Sequence, residues 1–222
     1  MATVPTDIPV VNNGYPTTDH RPMAETDWHR DLMLTLIETL KWQFAGFSRI
    51  YVSGNLLVFY EPGNRRRHVS PDVFVVRGVA NVQRPNYLIW EEGRAPQVVM
   101  ELTSSTTRKE DVRTKFHLYQ DKLKVREYFL FDPLGDYLKP QLQGYRLRQQ
   151  VYQPIRPTPE GRLPSQVLGL HLEPLGRELR LVDPTTGQRL PTPQERAAEA
   201  EAEVKRLVRE NAELRQKLRP RR

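Results

Sequence analysis

The sequence contains no cysteine. That absence excludes a disulfide framework, thiolate zinc sites and a cysteine nucleophile together, and it fits a reducing cytoplasm, where the protein is expected. There is no run of about 18 apolar residues, so no membrane span is expected. The first 25 residues are polar and interrupted by Pro5, Pro9, Pro16 and Pro22, which is unlike a secretion leader. The serines and threonines of 103–107 lack a Gly-x-Ser-x-Gly elbow, and neither a glycine-rich phosphate loop nor a His-Glu-x-x-His pair occurs.

What is present suits one core with an appendage: 222 residues, 38% hydrophobic and 27% charged. A formal charge of +7 points to a polyanionic partner and says nothing of the fold. Residues 1–24 read as a flexible, proline-rich arm and 25–190 as the folded domain. From Asp27 to Phe47, apolar residues recur at helical spacing from Trp28 to Phe44, with Asp27 as N-cap and Gly46 as stop. The stretches at 51–63 and 68–78 have strand chemistry and read as a hairpin; 96–103 is a third strand. A helical pattern with Val112, Phe116, Tyr119 and Leu123 leads into a strand ending at Asp132-Pro133, which makes a βαβ unit and predicts a mixed sheet flanked by helices. Short β-like pieces between 140 and 190 are expected to add peripheral hairpins.

From Gln194 the pattern changes. Ala197, Val204, Asn211 and Leu218 recur every seven residues, with Ala200, Leu207 and Leu214 between them, which is a heptad seam of about three repeats. A single asparagine at such a position favours a parallel two-stranded register, so 194–222 is expected to form a coiled-coil tail and a homodimer.

One glutamate is out of place in the third strand. Glu101 stands among Val98, Val99, Met100 and Leu102, and an uncompensated carboxylate there would cost several kcal/mol. Alternation puts Val99, Glu101 and Thr103 on one face, near the strand end that ligands favour in open α/β sheets. Pro71-Asp72 opens the preceding strand, so the two carboxylates converge if the strands are neighbours about 4.8 Å apart. Such a pair, with water completing an octahedron, suits Mg²⁺ or Mn²⁺.

Pro71-Asp72 followed by Glu101-Leu102-Thr103 resembles the motif of the PD-(D/E)XK nuclease superfamily. Together, SPDVFVV, PQVVMELTSSTTRKEDVRTKFHLYQ and VREYFLFDP are similar to the Uma-two family of restriction endonucleases within it, over about residues 27–180. The resemblance implies a restriction-endonuclease-like α/β fold, a Mg²⁺-dependent attack on DNA, and Asp72 and Glu101 as metal ligands. It asks for a lysine where this chain has Thr103. Lys115, early in the following helix with Lys109 and Arg113, is the replacement candidate, and His29 is a further candidate contact to a bound water or phosphate. Arg65, Arg66 and Arg67 precede the Asp72 strand, where groups that steer phosphates would be useful. Ser104, Ser105, Thr106 and Thr107 read as a loop and helix cap, Glu91 and Glu92 as surface charge, and Asp132 as a strand terminator. The alternative is a catalytically inactive nuclease-fold module for nucleic-acid binding or protein assembly, which the missing strand lysine favours.

Overall fold

The structure, a computed structural model, describes residues 13–18, 26–103 and 110–217. Helix α1 (Asp27–Gln43) is capped by Thr26, whose hydroxyl accepts the His29 N–H at 3.3 Å. Asp27, the expected cap, is instead the first helical residue, where its charge faces the positive end of the helix dipole. Leu32, Met33, Leu36, Ile37 and Leu40 form the buried stripe. Trp28 and Trp42 stay on the outer face under Arg177 and Arg196, whose guanidinium carbons lie 5.1 and 4.9 Å from the rings.

Strand β1 (Ile50–Ser53) is followed by the two-residue β2 (Val58–Phe59) and β3 (His68–Val69), then by β4 (Val73–Arg77). The expected hairpin is therefore split: β1 pairs with β4, while β2 pairs with β3 and, in parallel, with β5 (Tyr87–Leu88). The cause is Gly54. A Cβ there would lie 1.9 Å from the Asp72 carbonyl oxygen and 2.7 Å from Ile37, so only glycine lets the chain pass this close. Part of the expected arm is also docked: Tyr15 packs on Phe59 and Trp90, and Asn13 hydrogen-bonds Asn86 at 2.7 Å. The remainder, residues 1–12 and 19–24, lies outside the described residues.

A short α2 (Ile89–Glu92) leads into β6 (Val98–Leu102), and two π-helical stretches, Glu110–Lys115 and Leu118–Leu123, return the chain to β7 (Glu127–Phe131), parallel to β6. Strands β8 (Leu142–Arg148) and β9 (Val151–Pro154) complete a mixed six-stranded sheet of order β1-β4-β6-β7-β8-β9. Their turn places Gln149 and Gln150 at φ 49° and 69°, the backbone of a type I′ hairpin, without the usual Asn or Gly. Strands β10 (Leu163–Ser165), β11 (Leu170–Leu175) and β12 (Glu178–Val182) form a separate three-stranded sheet. They are not peripheral. Leu163, Leu170, Leu172, Leu179 and Leu181 join α1 and one face of the main sheet in a single core. The other face packs against the π-helical crossover through Tyr119, Leu123, Tyr128 and Tyr152. Helix α3 (Pro193–Lys217) leaves the domain after Glu195 pairs with Arg180 at 2.7 Å.

Gly54→Ala is expected to cost about 1–3 kcal/mol, a fall of about 2–12 °C in melting temperature. An unchanged melting temperature by calorimetry would show that Gly54 and Asp72 do not approach this closely in the native fold.

Candidate functional site

The register of β4 and β6 pairs Val73 with Met100, so Asp72, one residue earlier, faces Glu101. The two residues hold each other through the backbone. The Leu102 N–H donates to Asp72 Oδ2 at 2.7 Å, and the Asp72 N–H points at Glu101 Oε2 from 3.5 Å. Lys115, at the end of the first π-helical stretch, brings its ammonium to 3.0 Å from Glu101 Oε2. His29, on the first turn of α1, places Nε2 3.3 Å from Asp72 Oδ1, an ion pair when the ring is protonated. Four residues spread over 87 positions of sequence thus meet at one end of the sheet, and none of the other three is as enclosed as Glu101, whose side chain is 1% exposed.

The partner that sequence reasoning missed is Tyr119. Its hydroxyl donates to Glu101 Oε1 at 2.6 Å. Burial, and next the Glu101 charge, push this phenol well above its ordinary pKa, so it stays a proton donor. Its periodicity marked it as core, and the ring is core; the signal for the hydroxyl was the four-residue spacing from Lys115, which puts both side chains on one side of a helix.

Thr103 stands where the superfamily pattern has lysine. Its hydroxyl is buried, the residue being 2% exposed, and lacks a hydrogen-bond partner among the described residues. An orphaned buried hydroxyl two residues along the chain from Glu101 fits a site completed by a hydrated ion. Among the described residues no three His, Asp or Glu side chains cluster as a metal cage. Two carboxylates with water and substrate oxygens filling the remaining positions is, however, the ordinary arrangement for Mg²⁺, so the residues present fit such an ion.

The other candidates fall elsewhere. Arg65, Arg66 and Arg67 are exposed on the β2–β3 turn; Arg67 lies 3.6 Å from Glu61, and the Arg66 N–H donates to Asn64. They adjoin the Asp72 strand in sequence without entering the constellation. Glu92 is not mere surface charge: it pairs with Arg84, which is 8% exposed and lies over Tyr51 at 4.3 Å. Asp132 spends both carboxylate oxygens on the N–H groups of Leu134, Gly135, Tyr137 and Leu138, and so organises its own loop. Residues 104–107 and Lys109 lie outside the described residues.

Tyr119→Phe removes a donor from a buried carboxylate and should lower stability by about 1.5–3 kcal/mol in urea denaturation. A loss below about 0.5 kcal/mol would mean that Glu101 does not depend on this hydroxyl.

Comparison with known proteins places this geometry in context. Residues 20–178 match the family Uma2, described as "Putative restriction endonuclease". A solved structure from Anabaena variabilis ATCC 29413, described as a putative nuclease belonging to DUF820, is similar over 68% of this chain and 80% of its own. The TM-score is 0.50 at 16% identity, which is a likeness of fold. No curated protein matches the chain.

Proposed function

We propose that this chain, which belongs to the Uma2 family, is a nuclease that hydrolyses DNA phosphodiesters with Mg²⁺ or Mn²⁺ held by Asp72 and Glu101. The observation that carries the reading is Lys115: a lysine from the crossover helix lies 3.0 Å from Glu101, where the strand itself offers Thr103. A bound divalent cation supplies a lowered pKa for an attacking water and charge stabilisation at phosphoryl oxygens.

The chain's own residues do the rest. The Leu102 N–H fixes Asp72 Oδ2, while Oδ1 lies beside His29. Tyr119 and Lys115 each take one oxygen of Glu101, so this carboxylate cannot rotate away from Asp72. The Lys115 ammonium, held at Glu101, is a donor that can orient a water or a phosphate oxygen at this end of the sheet. His29 stands beside Asp72 as a second donor when protonated and as a proton acceptor when neutral. Arg65, Arg66 and Arg67 extend positive charge from the strand that leads into Asp72, in keeping with contacts to the phosphate backbone.

Plasmid cleavage in Mg²⁺ tests this. Asp72→Ala and Lys115→Met should each reduce the rate by about 10²–10⁴-fold, the range of a lost catalytic group. Equal cleavage by both variants and the parent would assign the activity to a contaminant. DNA binding without cleavage by the parent would favour the inactive module that Thr103 leaves open.

The molecule acts as a dimer in this reading. On α3, Val204, Leu207 and Leu214 are 59%, 50% and 51% exposed, a stripe with Asn211 among them that a second copy would cover. Leu218 lies outside the described residues. Truncation before Pro193 should halve the mass found by sedimentation equilibrium, and an unchanged mass would remove the heptads from the assembly.

A further inference from the structure

A second concavity opens at the opposite end of the main sheet. Arg77 closes β4 where Asp72 precedes it, and Glu127 opens β7 opposite Val98, three residues before Leu130 faces Glu101. A cavity of about 890 Å³ lies there, lined among others by Phe44, Phe47, Arg77, Lys124, Arg126 and Arg146. That volume suits a small organic ligand.

The charges in its wall are unbalanced. Its one carboxylate, Glu127, is 1% exposed and already engaged by Arg146, by the Ser165 hydroxyl and by the N–H groups of Gln166 and Val167. Arg146 is held in place by Glu127 and the Pro164 carbonyl, and Arg77 by the Val167 carbonyl. Lys124 and Arg126 are exposed and have no ion pair among the described residues. The wall therefore presents fixed arginines and two uncompensated cations toward one space, the disposition that binds phosphate groups. Beside them is an aromatic wall. Phe47 is 54% exposed and meets Phe44 edge to face, with ring centroids 6.2 Å apart. An exposed phenylalanine next to clustered cations is a stacking platform for a flat ring.

We propose that this cavity binds a free nucleoside phosphate carrying at least two phosphate groups, its base against Phe47 and its phosphates against Lys124, Arg126 and Arg77. The site is separate from the Asp72–Glu101 end and does not depend on the nuclease reading. The crossover that carries Lys115 and Tyr119 ends at Lys124, so the same segment reaches both ends of the sheet.

The test is titration calorimetry on the full chain with ADP, inorganic pyrophosphate and adenosine as probes. ADP should bind, and the Lys124→Asn, Arg126→Ala double variant should weaken it by at least about tenfold, through loss of two charge-assisted contacts. Asparagine is chosen because Lys124 has φ 53°, which asparagine tolerates. Phe47→Ala should weaken ADP but leave pyrophosphate unchanged, whereas Asp72→Ala should alter neither. The proposal is overturned if ADP fails to bind or if the double variant binds it normally. It is equally overturned if Asp72→Ala abolishes binding, which would move the ligand to the carboxylate end. Binding of a short single-stranded oligonucleotide through Lys124 and Arg126, with none of ADP, would make the cavity part of a nucleic-acid track instead and also overturn it.

Discussion

The carboxylate of Glu101 is the most demanding group in this molecule. It is buried in the middle of a six-stranded sheet, where a charge without partners would cost several kcal/mol. Tyr119 and Lys115 offset that cost from the crossover helix, and the backbone of Asp72 approaches from the neighbouring strand. Because the partners come from the crossover and from a neighbouring strand, the carboxylate can be accommodated only when the sheet and the crossover are assembled together. The same desolvation that makes Glu101 expensive strengthens each of these contacts.

The crossover in turn depends on an aromatic face. Phe116 lies edge to face with Tyr145 and Tyr152 at 5.0 and 5.1 Å, and Tyr119 with Tyr128 at 5.0 Å. Rings of this kind pack in few orientations, so they set the rotation of the helix about its axis and hence where Lys115 and the Tyr119 hydroxyl point. The π-helical winding belongs to the same arrangement, since widened helical turns occur often at functional sites. On the other face of the sheet, α1 and the leucines of β10–β12 supply the bulk of the apolar core and hold the helix whose first turn carries His29.

The two ends of the sheet differ in charge balance. One gathers Asp72 and Glu101 with Lys115 and His29 as counter-charges; the other gathers arginines and a lysine around one consumed carboxylate. The parallel pairing of β6 with β7 creates this division, because the return segment must traverse the full height of the sheet. Cleavage chemistry at one end and nucleotide binding at the other would then be joined by a single packed segment.

The mixed sheet, the βαβ unit and the C-terminal helix were legible in the sequence, because each rests on a local period of apolar residues that survives without tertiary context. So was the oddity of Glu101, since a charge inside an apolar run demands a partner whatever the fold. Only the tertiary structure decided what that partner is. Tyr119 reads as core from its spacing, and its four-residue distance from Lys115 puts it on the same side of the helix without showing that its hydroxyl reaches back to β6. The division of the first hairpin was equally hidden, because where β1 ends, at Gly54, the chain packs against a carbonyl eighteen residues away. So was the central place of β10–β12, where prolines and glycines masked strands whose alternate leucines close the core. Periodicity records which residues seek burial; which of them meet is set by packing between distant elements, and the polar contacts inside the core follow from that meeting.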